Sequence, residues 1–229
     1  MNILVIGDTH FPGHHDKYYD FIVDTAYKYS IDEFIHIGDL TDFHYISRHL
    51  SEPDADNAIV ELDKAKEELV RWIDRFPKLK LCKGNHDMIP YRQAGTLGIP
   101  KSFLKSLNEL LELPETWTWH HSIVIGDTVF EHGLGSGGKY GAFNTALKYM
   151  SDYVQGHTHS YGSVLWHEGF FKSVFGMQVG CGVDKNKYHA RYGKNIFKHG
   201  LALGCGVILN ADTPDKTPLF VKMQRGRTY

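Results

Sequence analysis

Five times between residues 3 and 159 an apolar run stops and a turn rich in histidine or carboxylate follows. Residues 3–6 (Ile-Leu-Val-Ile) lead into Gly7-Asp8-Thr9-His10, and residues 33–37 lead into Gly38-Asp39-Leu40-Thr41-Asp42. Residues 79–82 lead, after Lys83, into Gly84-Asn85-His86-Asp87. Residues 128–131 end in His132-Gly133, and residues 153–155 end in Gly156-His157-Thr158-His159. A turn alone is served by Asn-Gly or Asp-Gly and needs no imidazole. In open α/β sheets, binding sites lie outside the carboxyl ends of the strands, where these turns fall. The pattern therefore confines the chain to folds that gather several strand ends at one edge.

The segments between the runs support this reading. Residues 16–29 place Tyr18, Phe21, Ile22, Ala26 and Tyr29 at helical spacing. A strand–helix–strand order with a short crossover implies parallel strands and sets Asp39 beside Asp8. Pro53-Asp54 is expected to open a long helix whose buried stripe is Ile59, Leu62, Ala65, Leu69, Trp72, Ile73 and Phe76, with Pro77 ending it. Residues 88–115 read as mostly helical, chiefly 101–113. Residues 122–125 and 128–131, joined by Gly126-Asp127, predict a hairpin. Residues 142–149 predict a helix and 153–155 a strand. The remainder is strand-rich, at 163–166, 170–174, 177–181, 201–209 and 219–222. Gly135-Ser136-Gly137-Gly138 lacks the Gly-Lys-Ser/Thr ending of a P-loop and reads as a plain loop.

With 229 residues, a single domain spanning 1–229 is expected. A net charge of -2 gives no global reason for tight nucleic-acid binding. A local patch is another matter: Lys185, Lys187, Arg191, Lys194 and Lys198 alternate with Tyr188, His189, Tyr192 and Phe197. That pattern suits phosphate pairing and base stacking, though a solvated loop has the same composition. No apolar run approaches the roughly 20 residues a membrane helix needs. Met1-Asn2 runs straight into the first strand, leaving no room for a signal peptide. Cys82, Cys181 and Cys205, odd in number and in apolar surroundings, read as reduced buried thiols. The expectation is a cytoplasmic protein without membrane contact.

The chain has 15 histidines, an excess that invites a metal reading. The turns collect Asp8, His10, Asp39, Asn85, His132, His157 and His159. Seven oxygen and nitrogen ligands exceed the three protein ligands typical of a catalytic zinc. They suit two divalent ions sharing a bridging carboxylate. Mixed imidazole, carboxylate and amide ligands without thiolate fit manganese foremost, with iron, zinc or nickel as alternatives. Two such ions, about 3.5–4 Å apart, suit phosphoester chemistry.

The order Gly-Asp-x-His, Gly-Asp-x-x-Asp, Gly-Asn-His-Asp, His-Gly, Gly-His-x-His, spread over residues 7 to 159, resembles the calcineurin-like metallophosphoesterases. The resemblance implies an α/β fold, a four-layer α/β/β/α sandwich of two mixed β-sheets flanked by helices, with the late strand-rich segment as the second sheet. It implies hydrolysis of a phosphoester by a metal-activated hydroxide. It assigns Asp8, His10 and His159 to one metal, Asn85, His132 and His157 to the other, and Asp39 to both. His86 becomes an uncoordinated histidine that steadies the transition state or protonates the leaving oxygen, and Asp42 the carboxylate that orients it.

The sequence departs from the phosphoprotein-phosphatase branch at two positions. Phe43 stands where that branch has a phosphate-clamping arginine, and Asp87 replaces its glutamate. His86 together with Gly-His-Thr-His looks more like the diesterase and nuclease side, and the chain is too short for the capping domain of the double-strand-break nucleases. A minimal phosphodiesterase acting on a nucleotide or nucleic-acid substrate follows. A phosphomonoesterase or protein phosphatase stays open beside it. A non-catalytic scaffold of the same fold should have lost ligands, and none is missing. The aromatic, histidine-rich segment 43–50 is placed to overhang the site, either touching substrate or simply packing.

Overall fold

The computed structural model describes residues 1–48, 55–187 and 200–224 and shows two β-sheets packed face to face between helices. The first sheet has the order β11-β10-β1-β2-β3-β4 and the second β5-β6-β7-β9-β8. In the first, β1 (Ile3–Ile6), β2 (Glu33–His36), β3 (Leu79–Cys82) and β4 (Trp117–His120) run parallel. The antiparallel strands β10 (Gly204–Leu209) and β11 (Thr217–Lys222) extend it beyond β1. In the second, β6 (Thr128–Phe130), β7 (Asp152–Gln155) and β9 (Ser173–Val179) are parallel. Its edges are the antiparallel β5 (Ile123–Ile125) and β8 (Gly162–Glu168).

Strand alternation divides the core. Ile3 and Val5 point between the sheets, where they meet Phe130, Val154, Phe175, Met177 and Val179. Leu4 and Ile6 point the other way, onto α1 (Tyr18–Lys28) and α2 (Ala58–Arg75). Because β1 is buried on both faces it reads as an unbroken apolar run. The outer face of the second sheet is covered by α5 (Gly141–Tyr149), through Ala142 and Ala146 against Tyr153 and Val174. The four-layer α/β/β/α order is as expected. Among the described residues no helix is long and apolar enough to cross a membrane, and all three cysteines are free and buried.

Several boundaries differ from the sequence reading. Within the described residues the long helix α2 begins at Ala58, where the Asn57 side chain accepts from the N–H groups of Ile59 and Val60; Pro53-Asp54 lies outside the described residues. Instead of one helix over 101–113 there are α3 (Ile89–Thr96), a short 3₁₀ turn (Lys101–Phe103) and α4 (Leu107–Leu111). Pro100 interrupts any continuous helix, and Ser106 and Glu109 form a capping box that starts α4 afresh. The strands expected at 170–174 and 177–181 are the single β9, preceded by a turn that leaves Phe170 96% and Phe171 95% exposed. The late strands do not form one sheet: β8 and β9 belong to the second, whereas β10 and β11 pair back onto the first, with Ile3 opposite Ile208 and Val5 opposite Gly206. Strand β4 was not anticipated as a partner of β3. Its buried Trp117 donates from Nε1 to the Phe76 carbonyl at 2.8 Å.

His36, the last residue of β2, is a buried histidine with both ring nitrogens engaged. Nδ1 accepts from Gly38 N–H at 3.2 Å, so Nε2 carries the proton and donates to Thr9 Oγ1 at 3.0 Å. The Thr9 hydroxyl passes its own proton to Leu40 O, also at 3.0 Å. This neutral chain ties the turn after β1 to the turn after β2. Burial opposes the charged ring and lowers its pKa from 6.5 to about 3. The unfolded chain therefore binds one more proton than the folded chain between those values, and stability must fall as pH drops below 6.5. His36→Gln removes that dependence. Between pH 6.5 and 4.5 the wild type should lose about 2 kcal/mol more than the variant, read by urea unfolding at both pH values; parallel losses would show that folded His36 takes up its proton as readily as the unfolded chain does.

Candidate metal centre

Strand register alone brings the candidate residues together. Ile6 pairs with His36, and the pairing continues past the strand ends: Asp8 N–H donates to Gly38 O at 3.2 Å, His10 N–H to Asp39 O at 3.0 Å and Phe11 N–H to Leu40 O at 2.8 Å. His36 pairs with Leu81, so the same offset carries Asp39 to Gly84. In the second sheet Phe130 pairs with Val154, which carries His132 to Gly156. Two glycines permit the close approach. A Cβ on Gly84 would overlap Asp39 Oδ1, and a Cβ on Gly156 would overlap Asp8 Oδ2.

Asp8, His10, Asp39, His157 and His159 all hold left-handed backbone, with φ between 48° and 67°. Asp and His are among the residues enriched there, yet each such position costs of order 1 kcal/mol or more. Five in one site mark turns shaped for the direction of their side chains.

All nine residues singled out in the sequence converge. Asp8, His10, Asp39 and His159 form one cluster, and Asp39, His132 and His157 a second that shares Asp39. In the first, His159 Nε2 lies 3.1 Å from both Asp8 Oδ1 and His10 Nε2, and His10 Nε2 lies 3.6 Å from Asp39 Oδ2. In the second, His132 Nε2 lies 3.2 Å from Asp39 Oδ2, 3.0 Å from Asn85 Oδ1 and 3.1 Å from His157 Nδ1. His132 presents Nε2 because its Nδ1 donates to Ile37 O at 3.1 Å. One N–H can point at only one of three acceptor-type atoms, whereas a cation takes all of them as ligands. This donor set fits a binuclear metal site.

His86 stands beside both clusters. Its backbone N–H donates to Asp39 Oδ1 at 2.7 Å, and its Nδ1 lies 2.7 Å from Asp42 O and 3.1 Å from Asp42 Oδ1. Asp42 Oδ1 also takes His10 Nδ1–H at 2.7 Å, so one carboxylate steers both histidines. Burial would raise the Asp42 pKa, but the hydrogen bonds from His10 and His86 hold it well below the ordinary carboxylate range. Burial likewise opposes charge on His86 and His132, and the Asp39 carboxylate outweighs it, raising them to about 10 and about 9. The protein's own field thus favours positive charge on His86 and His132, whereas burial lowers His10 and His157 and favours their neutral rings.

The main residue that sequence reasoning left without a part is Asp87. Its carboxylate is fully buried and accepts from Asp39 N–H at 2.8 Å, Leu40 N–H at 2.9 Å, Thr41 N–H at 3.3 Å and Gly84 N–H at 2.9 Å. Burial and the neighbouring Asp39 charge push it up to about 7, against the pull of those donors. Asp87 clips the Asp39 turn to the Gly84 turn. The only signal for it is its position beside Gly-Asn-His. Phe43, 9% exposed, belongs to the helix-side core, and Arg48 rather than Phe43 reaches the pocket beside His86. Of the basic–aromatic segment, Lys185 and Lys187 are described and 188–199 lie outside the described residues; Lys187 pairs with Asp16 at 3.0 Å.

The family model for the calcineurin-like phosphoesterases matches residues 1–179. No curated protein matches the chain in sequence. Among solved structures, Yfce, a phosphoesterase from E. coli, is 14% identical over 92% of this chain and 89% of its own, with a TM-score of 0.45. A mutant Vps29 from Entamoeba histolytica is 13% identical over 98% of this chain and 100% of its own, TM-score 0.44. The nuclease MPE from Pseudomonas putida is 13% identical over 95% of this chain and 87% of its own, TM-score 0.41.

Asp87→Asn preserves size but turns one acceptor oxygen into a donor facing backbone N–H groups. It should lower manganese affinity by about tenfold or more, measured by equilibrium dialysis with elemental analysis. An unchanged affinity would mean that the two turns hold their spacing without the carboxylate.

Proposed function

The chain belongs to the calcineurin-like phosphoesterase family, and from that premise we propose that it is a phosphodiesterase dependent on two divalent transition-metal ions, acting on a nucleotide or nucleic-acid substrate. The observation that carries this reading is the pair of ligand clusters joined through Asp39 with His86 beside them. Asp8, His10 and His159 would hold one ion, Asn85, His132 and His157 the other, and Asp39 both. Manganese suits the oxygen and imidazole ligands best, with iron, zinc or nickel as alternatives. Bound there, the ions would supply Lewis acidity toward phosphoryl oxygens and water.

The chain's own groups do the rest. Asp42 fixes the His86 ring through Nδ1, which leaves Nε2 as the nitrogen that carries a proton to the leaving oxygen. A water oxygen forms the new bond to phosphorus, and the bond to the leaving alcohol breaks. The electron pair stays on the leaving oxygen, which takes the His86 proton, and the proton lost by water returns to the ring or to solvent. The Asp42 carboxylate, 3.1 Å from Nδ1, favours the charged ring that this step requires.

The diester preference is supported by Phe43: its side chain fills core space where a phosphatase arginine would clamp a dianion. We further propose that residues 1–229 act as one domain, since β10 pairs with β1 and Ile208 enters the core between the sheets. Three free, buried thiols support a reducing, cytoplasmic setting.

Metal-stripped protein reloaded with manganese should hydrolyse bis-p-nitrophenyl phosphate faster than p-nitrophenyl phosphate. The reverse preference would identify a monoesterase and sink the diester reading. His86→Ala should lower kcat by about a hundredfold or more while bound manganese, measured by elemental analysis, is unchanged. Full turnover in that variant would remove His86 from proton transfer.

A further inference from the structure

We propose that the pocket beside His86 is a subsite for a second phosphate, carried on the leaving group, and that Arg48 and Arg92 hold it. The inference rests on the phosphodiesterase reading and narrows it to substrates with at least two phosphates.

The pocket, about 300 Å³, is lined by Ser47, Arg48, Asn85, His86, Arg92 and Gln93, together with Ile89. Its two walls are tied to each other and to the ligand turn. Gln93 Nε2 donates to Ile46 O at 2.7 Å, linking α3 to the 3₁₀ turn (His44–Ile46) that precedes Arg48. Arg92 Nη2 donates to Asn85 O at 2.7 Å, fixing a guanidinium one residue from His86. Among the described residues neither Arg48 nor Arg92 pairs with a carboxylate. Several surface lysines lack such a pair as well, so what sets these two apart is their place, two guanidinium groups lining one pocket beside His86. Among the described residues no carboxylate neutralises either guanidinium group at this pocket.

The position defines the role. A group that protonates the leaving oxygen stands on the leaving side, so the pocket His86 lines receives the departing alcohol. A neutral alcohol would offer the two guanidinium groups no anion, and Arg92 would keep only its bond to the Asn85 carbonyl. A phosphate on that alcohol would take paired, charge-assisted hydrogen bonds from planar guanidinium forks. Arg48 and Arg92 therefore select the leaving group, while Asp39 and its surrounding ligands act on the scissile phosphate.

The test uses the manganese-loaded protein and thymidylyl-thymidine, with and without an added phosphate at its 3′ or its 5′ end. One phosphorylated form should show a kcat/KM about tenfold or more above the parent, and that ratio should fall toward one in the Arg48→Ala, Arg92→Ala double variant. Arg92→Lys, which keeps the charge and loses the fork, should give an intermediate ratio. Including the thymidine trinucleotide separates a terminal phosphate from the next link of a strand. Calorimetric titration of metal-free protein with thymidine 3′,5′-bisphosphate gives a readout independent of turnover, and the double variant should bind about tenfold or more weakly. Equal kcat/KM for all the dinucleotides, or a preference and a bisphosphate affinity unchanged in the double variant, overturns the subsite. Arginine-dependent bisphosphate binding without hydrolysis of any diester supports the subsite and overturns the phosphodiesterase reading.

Discussion

Asp39 is where the two halves of the site meet, and its placement constrains everything around it. Oδ2 faces His10 and His132, Oδ1 takes the His86 N–H, and its own N–H is held by Asp87. A buried carboxylate is costly unless hydrogen-bonded and matched by positive charge. The surrounding imidazoles and N–H donors meet part of that demand, and two divalent ions would meet the rest. The geometry is held from behind by uncharged or acceptor groups: His36 with Thr9 on one side and the Asp87 carboxylate on the other. Neither touches the clusters' open face. They fix the turns whose side chains do.

Much of this was legible in the sequence because the ligand turns sit at strand ends, and strand ends are the most strongly patterned part of an α/β chain. Each apolar run announced a strand, and the first polar residue beyond it announced the site. Parallel register then guaranteed that Asp8, Asp39 and Asn85 would lie side by side. What stayed hidden depended on long-range pairing. Nothing in Leu-Gly-Cys-Gly-Val-Ile-Leu says that it will lie against β1 rather than β9, since either surface would bury the same apolar side chains. The contribution of Asp87 was hidden too, because a carboxylate serving four backbone N–H groups has no sequence signature. The break-up of 101–113 was foreseeable from Ser106 and Glu109, a capping pair in mid-segment. Trp117 and Trp119 alternate as a strand requires, yet His120-His121 after them obscured where it ended.

The site also shows how specificity can be separated from chemistry within one fold. The residues around Asp39 come from strand-end turns and are almost wholly buried, whereas Arg48 lies in the bend after a 3₁₀ turn and Arg92 on a short helix at the periphery. Peripheral segments of this kind tolerate change without disturbing the sheet register that assembles the ligands. In this chain the helical segment between β3 and β4 supplies one arginine, and the crossover between β2 and β3 supplies the other.

The pairing of β10 with β1 bears on how the molecule is made. Strand β1 is translated before each strand it pairs with, and its Ile-Leu-Val-Ile run can find β2 within about 30 residues of synthesis. Its other side waits for residues 206–208, by which time the entire second sheet has been translated. Through that interval a wholly apolar strand has an open edge, the kind of template on which nascent chains mispair and aggregate. Strand β10 closes it, so the sheet edge beside the Asp8 turn is completed only after the His132 and His157 turns of the second sheet have been translated.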